Sequence, residues 1–485
     1  MTSADIQTWI QSASVPAEPA GTSDACYSNF AWQDFFAMVR PQNGQPFTTW
    51  PSDQDLFPAS GDPKPWQAGD RIMEVRPLRK ALGLPGNQVT ADIVTEAAAL
   101  TPAVDQRGRW LHYSALADRQ EYEYIRCCEL YRGACFNSMG GVATSPASTS
   151  QINLPTPSLE LKLSWRVLET CNLPDSPSPC TPEDASRFLT VQGEVQPYSP
   201  ALLDTPVKAT LGLLGMHIVH KTPQNANHLW ATFEHVDNVP DCPPSGGATP
   251  PPPAGFTGWQ LYNAECSDPK NPERCNANWY CLPCPVTVSK QVRDTFNSGV
   301  KPGSWTIPEK PGDPAGAGLI TCTPVPNAFA KPIADVQITL FNPEQCKNAP
   351  IPTQVCRTTA ISPEVGSLNG QVRQVLGQLG GSDAVFANYE LVGIDWFDGQ
   401  GVLQPAGRTA LANSTMETYL QQLPQGCLTC HANQVNPVPA RSPMQFNSAL
   451  ADRSFLFQQI RQFGVACSDQ QAARCSAWAQ GCPAQ

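Results

Sequence analysis

Hydrophobic and polar residues alternate most regularly between residues 159 and 167. A period of two predicts a β-strand with one apolar face and one face toward solvent. The apolar run at 209–220 predicts a buried strand, and residues 228–236 form a second apolar-rich segment. Because residues 222–227 between them contain Pro and two Asn, we expect a turn that makes the two segments an antiparallel hairpin.

In other parts of the chain, the apolar residues have the spacing that is typical of a helix. Residues 28–39 are typical of an amphipathic helix that ends before Pro41, and the aromatic-rich segment 110–131 is also predicted to be helical. Residues 362–381 predict a longer helix, and its apolar positions are expected to be buried: Val365, Leu368, Val372, Val375 and Leu379. The remaining predicted elements are strands at 336–341 and 389–397, a short helix and a last helix from Ser454 to Gly464. The short helix begins with capping-box spacing at Ser414–Glu417 and is ended by Pro424 and Gly426, just before Cys427.

These elements predict an α+β fold. We expect a flexible lead over 1–27 and a β-rich body of antiparallel strands over 28–408, with disulfide-stapled loops and a Pro-rich insert at 240–256. A short helical segment over 409–485 would complete the chain. No run approaches the ~18 apolar residues of a membrane span, so none is expected.

Composition narrows the function. The 485 residues carry a formal net charge of -11, and only 15% of them are charged. A protein that binds nucleic acid or anionic lipid through its charge needs a basic face, and none is visible. We therefore expect neither kind of partner.

Cysteine usage indicates an oxidising compartment. The 19 cysteines are mostly scattered singly through segments rich in Pro, Ser and Asn, which is typical of a disulfide framework. Residues 1–26 have no basic region followed by an apolar core, so no signal peptide is recognised. We interpret the chain as a mature or trimmed protein, or as one with a misassigned start.

The most informative motif is Cys427-Leu428-Thr429-Cys430-His431. Cys-x-x-Cys-His is the spacing of covalent c-type haem attachment, in which both thiols bind the haem and the imidazole becomes an axial iron ligand. This attachment takes place outside the bacterial inner membrane, so it agrees with the cysteine count in predicting the periplasm. The alternative is an ordinary disulfide between Cys427 and Cys430, followed by a histidine.

A second Cys-x-x-Cys, Cys281 to Cys284, lacks the histidine. It is therefore not a second haem motif. A structural disulfide is favoured there over a redox or zinc site, because no βαβ frame surrounds it.

The other axial position of the iron is left open by the sequence. Met444 follows His431 by 13 residues, and Met416 lies in the predicted helix before the motif. The hairpin contains four of the six histidines, and its register places His217 beside Thr232, with His220 and His235 on the opposite face. The distal candidates are therefore His217, Met444, His235 and Met416.

His217 stands out because it interrupts an apolar strand, and a buried imidazole needs a partner. The haem iron or Glu234 across the hairpin would serve. For each of these histidines the alternative is an ordinary buried or surface imidazole, and a zinc or copper site is a third interpretation.

Several phrases together resemble a family of large exported bacterial proteins known as cytochrome c family proteins. The resemblance spans about residue 30 to about residue 460, and beside the haem motif its phrases are Ala31–Ala37, His217–Thr222, Trp230–Asn238 and Leu411–Tyr419. It implies a periplasmic location and one covalent haem on Cys427 and Cys430, with His431 as ligand. It does not specify a reaction, and the Pro-rich insert and extra cysteines are peculiar to this member.

The sequence thus predicts a periplasmic c-type cytochrome that exchanges electrons with a redox partner. Electron carriage alone needs only ~100 residues around a haem, so the excess length also favours binding of a partner protein or a small-molecule substrate. One alternative is a haem-dependent oxidoreductase with an open distal site, acting on oxygen, peroxide or an organic substrate, with a hairpin histidine as acid or base. The other is a haem-free, disulfide-rich binding protein.

Overall fold

A computed structural model describes most of the chain outside a central region. The longer described ranges are 2–40, 46–67, 111–141, 151–173, 178–195, 207–242, 258–262, 355–405, 411–418 and 464–480. Between them, the structure also describes Cys427, His431, a few other single residues or short runs, and some short strands. The coarse prediction is confirmed, since the described residues form an α+β fold with an antiparallel sheet and disulfide pairs.

The centre of the fold is an eight-stranded sheet in which all pairs but one are antiparallel. Its strands are β1 (Met73–Glu74), β2 (His112–Ala117), β3 (Ser158–Val167), β4 (Thr190–Val195), β5 (Val207–Lys221), β6 (Leu229–His235), β12 (Tyr389–Phe397) and β13 (Leu403–Gln404). Short strands outside it are β7 (Trp279–Tyr280), β8 (Val286–Thr287), β9 (Trp305–Pro308), β10 (Leu319–Pro324), β11 (Thr339–Leu340), β14 (Val435–Pro437) and β15 (Gln445–Asn447).

Seven α-helices lie in the described residues, and they are from four to 17 residues long. They are α1 (Ser3–Ser12), α2 (Asp24–Val39), α3 (Asp53–Leu56), α4 (Arg119–Cys127), α5 (Gly133–Ser138), α6 (Pro363–Leu379) and α7 (Gln471–Ser476). The 3₁₀ segments are Phe47–Thr49, Ala185–Arg187, Gly381–Asn388, Leu456–Gln459 and Trp478–Gln480. No helix in the described ranges combines the length and apolar character that crossing a membrane requires.

Strand β5 organises the sheet because it pairs along both edges. One edge pairs with β3, and the other pairs first with β4 and then with β6, which continues to β12 and β13. The predicted strands at 159–167, 209–220, 228–236 and 389–397 are therefore confirmed, as is the hairpin. Of the strand predicted at 336–341, only β11 is present in the described residues.

One face of the sheet is apolar and carries the main core. Helices α1, α2 and α6 pack there, and α2 supplies the fully buried rings of Trp32, Phe35 and Phe36. The predicted flexible lead is wrong in part, because Ile6 and Ile10 of α1 are 0% exposed in this core. Their spacing of four residues on a ten-residue helix is the signal that sequence analysis missed.

Helix α6 confirms the helix predicted at 362–381. The side chain of Ser362 accepts a hydrogen bond from the N–H of Val365, and Pro363 occupies the first turn, where its missing N–H costs nothing. Its predicted apolar positions are buried except Leu379, which is 38% exposed because it ends the helix.

The helix predicted over 110–131 is only half correct, since its first half is strand β2 and only its second half is α4. Helices α4 and α5 are joined to the C-terminal tail by three disulfides: Cys127–Cys482, Cys128–Cys475 and Cys135–Cys467. Two more, Cys171–Cys180 and Cys242–Cys356, staple loops. Within the described residues, the last helix predicted from Ser454 to Gly464 is only the 3₁₀ turn Leu456–Gln459, whose Leu456 N–H donates to the Ser454 hydroxyl.

A buried carboxyl group lies at the start of α4. Glu121 is 0% exposed, and neither carboxylate oxygen has a hydrogen-bond partner within the described residues. Burial raises the pKa of Glu121 well above its usual range, and the nearby carboxyl groups of Glu160, Asp118 and Asp452 add to the shift, while Lys221 opposes it. Burial therefore favours the neutral form of Glu121.

Candidate functional site

The second face of the sheet is lined with polar side chains in register across the strands. One row runs Glu160, Val219, Trp230 and Asp395 across β3, β5, β6 and β12. The prediction that this side of β3 faces solvent is wrong, because Ser164 is 0% and Glu160 8% exposed. The covering chain comes from the C-terminal part of the protein.

A turn at 411–418 is fixed to this face by hydrogen bonds. The Asn413 side chain donates to the Thr232 hydroxyl at 3.0 Å, and the Ser414 hydroxyl donates to Glu234 at 2.6 Å. The Thr415 and Ser164 hydroxyls share a hydrogen bond of 2.5 Å. Residues separated by more than 170 positions are thereby held together.

This turn replaces the helix predicted from the capping-box spacing of Ser414 and Glu417. Asn413, rather than Ser414, starts the turn, because its carbonyl accepts from the N–H of Glu417 at 2.8 Å. The Glu417 carboxylate accepts in return from the N–H of Asn413 at 2.8 Å. The spacing therefore correctly indicates a backbone contact of Glu417, but a single turn forms and not a helix.

His217 pairs with this same carboxylate. Its Nε2 lies 3.1 and 3.2 Å from the two oxygens of Glu417, and the His217 side chain is 9% exposed. Burial would raise the pKa of Glu417, but the charge and hydrogen bond of His217, with Lys162 and the Asn413 N–H, lower it to about 2. Glu417 is therefore ionised at neutral pH and binds the imidazole.

Of the two partners considered for His217, the haem iron and Glu234, Glu234 is wrong. Glu234 lies opposite Gly215 and not opposite His217, and it is bound by Ser414 and Arg357 instead. The predicted register is confirmed, since His217 pairs with Thr232.

His220 and His235 lie on the core face. His220 Nδ1 is 3.0 Å from Asp34 of α2. His235 Nε2 lies 2.8 Å from the Arg187 carbonyl, and its Nδ1 accepts from the Asp237 N–H, so both ring nitrogens are engaged.

Cys427 and His431 of the haem motif lie against the polar face, near its edge at β6, β12 and β13. Both have helical backbone conformation, and residues four apart on a helix share a side. Cys427 packs beside the cluster of Val219, Trp230, Phe397 and Leu403. The His431 ring lies against Trp230, with centroids 4.0 Å apart.

Trp230 is the central residue of this site, and sequence analysis did not select it. It is 4% exposed, and its indole N–H has no hydrogen-bond partner within the described part of the chain. Burying an indole N–H without an acceptor is unfavourable, so the site is suited to a group that brings one. The strand pattern put Trp230 on the same face as Thr232, but nothing local to it indicated the contact with His431.

The remaining predicted site residues divide into two groups. Met416 is 0% exposed within the 411–418 turn, while Cys430, Met444 and the Cys281–Cys284 motif fall outside the described residues. No histidine cluster suited to zinc or copper is present in the described ranges. The one group there with metal-binding spacing contains Cys171 and Cys180, whose sulfurs are bonded to each other.

No family model, curated protein or solved structure matches this chain.

Proposed function

We propose that this protein is a periplasmic c-type cytochrome that exchanges electrons with a redox partner. One haem would be bound covalently by Cys427 and Cys430, with His431 as an axial ligand. The observation that carries the proposal is the position of Cys427 and His431, which meet the same cluster around Trp230.

The surroundings of the motif fit an iron porphyrin. Val219 and Trp230 are 4% exposed, and Phe397 and Leu403 pack against them, so the surface beside Cys427 is largely apolar. The indole N–H of Trp230 has no hydrogen-bond partner among the described residues, and it would suit one of the carboxylates that a porphyrin carries. Bound there, haem would supply a one-electron couple between ferric and ferrous iron.

The chain's own residues would set the environment of that couple. Trp230 and Phe397 would exclude water from the side of the sheet, and the 411–418 turn would fix the start of the segment that leads to Cys427. The Cys427 sulfur already lies 3.7 Å from the Leu411 carbonyl, which ties the motif to that turn. Burial and fixed neighbours of this kind tune the reduction potential of a haem.

The disulfides support the compartment in this proposal. Five pairs are formed by described cysteines, and three of them join residues more than 330 positions apart. Disulfides persist in oxidising compartments such as the periplasm, where covalent haem attachment also occurs.

A second candidate is a haem-dependent oxidoreductase, which the His217–Glu417 pair favours. A histidine held by an ionised carboxylate is a common acid–base arrangement, and this pair lies on the same sheet face as Trp230. Added carbon monoxide or cyanide separates the candidates, because only an open or weakly held iron position binds them readily. An unchanged spectrum supports the electron carrier.

The proposal is tested by producing the chain in a host that assembles c-type cytochromes. We expect a red protein whose intact mass is raised by one haem and whose pyridine haemochrome spectrum persists after denaturation and acid extraction. Cys427→Ser combined with Cys430→Ser should abolish both signals. Cys26→Ser is the matched control, because Cys26 forms no disulfide among the described residues and lies in α2, far along the chain from the motif.

A colourless protein with Cys427 joined to Cys430 would overturn the proposal. It would leave the haem-free, disulfide-rich binding protein as the remaining interpretation.

A further inference from the structure

His228 ends the turn between β5 and β6, and the turn holds it in an uncommon backbone conformation. Its φ is 66°, in the left-handed region that few residues with a Cβ adopt. Its N–H donates to the Asn225 carbonyl at 3.1 Å, and Asn225 is itself fixed by the Thr222 hydroxyl at 3.1 Å. The imidazole is therefore carried by a turn with defined internal hydrogen bonds.

The His228 ring lies near Trp230, which the Cys-x-x-Cys-His motif also contacts. It is 2% exposed, and its centroid is 6.4 Å from that of Trp230 at an interplanar angle of 64°. Trp230 is the same indole that His431 contacts at 4.0 Å. One imidazole from the hairpin and one from the motif thus meet a single side chain.

The other histidines are less suited to this position. His217 would have to give up Glu417 to use Nε2 for any other purpose. His220 and His235 lie on the opposite face of the sheet, where Asp34, the Arg187 carbonyl and the Asp237 N–H engage them. His112 lies on β2, which is separated from β6 by β3 and β5.

We propose that His228 is the second axial ligand of the haem iron, paired with His431. The inference rests on the proposed function, since it requires haem at Cys427 and Cys430. It follows from the shared contact with Trp230, from burial and from the fixed turn. Sequence analysis counted His228 among the hairpin histidines but did not select it, because its position next to Trp230 depends on the turn.

Ligation by two histidines has a functional consequence. With both axial positions filled by imidazole the iron is low-spin and has no open site for oxygen or peroxide. The proposal therefore favours electron transfer over the oxidoreductase alternative. It also places the iron next to the hairpin and leaves Met444 and Met416 without a ligand role.

The test compares full-length, haem-loaded wild type with His228→Asn. Asparagine tolerates the left-handed backbone conformation and supplies no imidazole, so the turn is preserved while the ligand is removed. We expect the ferric spectrum to change from low-spin to high-spin, and the ferrous form to bind carbon monoxide. Added imidazole should restore the low-spin spectrum. His112→Asn is the matched control, because β2 is separated from β6 by β3 and β5, and its spectrum should stay low-spin.

Haem content by pyridine haemochrome is measured on every sample. A wild type without haem defeats the proposed function itself, whereas a haem-loaded His228→Asn that stays low-spin overturns only the assignment of His228. Near-infrared magnetic circular dichroism of the wild type needs no variant, so it decides the case if the variant does not fold. A bis-histidine signal supports the inference, and a histidine–methionine or high-spin signal overturns it.

Discussion

Gly215 allows the 411–418 turn to approach the sheet, and its replacement gives a quantitative test of that packing. A Cβ at Gly215 would lie 2.5 Å from the Thr415 hydroxyl, 2.7 Å from the Ser164 hydroxyl and 2.9 Å from the Asn413 side-chain oxygen. These contacts are too short for carbon against oxygen. Gly215→Ala must therefore move the turn away from β5 or distort the strand.

The expected cost combines two effects. Overpacking of a well-packed interior by one carbon costs about 1–3 kcal/mol. Displacing the turn also weakens the Thr415–Ser164 and Asn413–Thr232 hydrogen bonds, each worth about 1 kcal/mol net. We expect Gly215→Ala to lower the free energy of unfolding by about 2–4 kcal/mol.

Equilibrium urea unfolding under non-reducing conditions, followed by circular dichroism, measures this change. Gly370→Ala is the matched control, since Gly370 lies in α6 and its added Cβ would meet no atom within 4 Å. Alanine is a better helix former, so the control should gain up to about 1 kcal/mol. Adding Thr415→Ala to Gly215→Ala removes the nearest clash and should recover part of the loss. A Gly215→Ala protein as stable as wild type would refute the close packing of the turn.

Three further outcomes follow from buried charges and cross-links. Glu417→Gln should lower the free energy of unfolding by about 1–3 kcal/mol at pH 7, because the pKa of Glu417 is lowered to about 2 in the folded state. In urea unfolding at a series of pH values, the wild type should lose this extra stability as the pH falls from about 4.5 to about 2. The stability of the Gln variant should not change through this group in the same range. Glu121→Gln should raise the free energy of unfolding by about 1–3 kcal/mol at pH 8 and change it little at pH 4. The reason is that the pKa of Glu121 is raised in the folded state, so burying this side chain becomes less favourable as the pH rises. Equal changes in stability at the two pH values would contradict this. Cys128→Ser with Cys475→Ser should cost about 2–5 kcal/mol in the same assay, while Cys26→Ser should cost nothing measurable.

The strands that could be predicted are those in which the local pattern of apolar and polar residues matches the burial of each residue. The apolar positions of β5 and β12 are buried by the sheet and by α2 and α6, so local periodicity was sufficient. The N-cap of α6 was equally local, because Ser362 and Val365 are three residues apart. Contacts between residues that are close in sequence can be predicted from the local sequence alone.

The polar face could not be predicted in the same way. Glu160, Lys162 and Ser164 alternate with apolar residues in the same way whether their face is exposed to solvent or covered by another segment. Here the 411–418 turn contacts Ser164, and the Ser454 hydroxyl donates to Glu160. The partner of His217 lies 200 residues away, so no local pattern names Glu417. The haem motif was visible as spacing, but its contact with Trp230 depends on the same long-range packing.

The cross-links between the tail and helices α4 and α5 set an order of events during biosynthesis. The thiols of Cys127, Cys128 and Cys135 have partners that follow them by 332 to 355 residues. At ribosomal speeds of about 5–20 residues per second, their correct partners are synthesised roughly 15–70 s later. These three sulfurs must therefore stay unpaired, or be re-paired, until the tail has been synthesised, because earlier oxidation would pair them with the wrong cysteines.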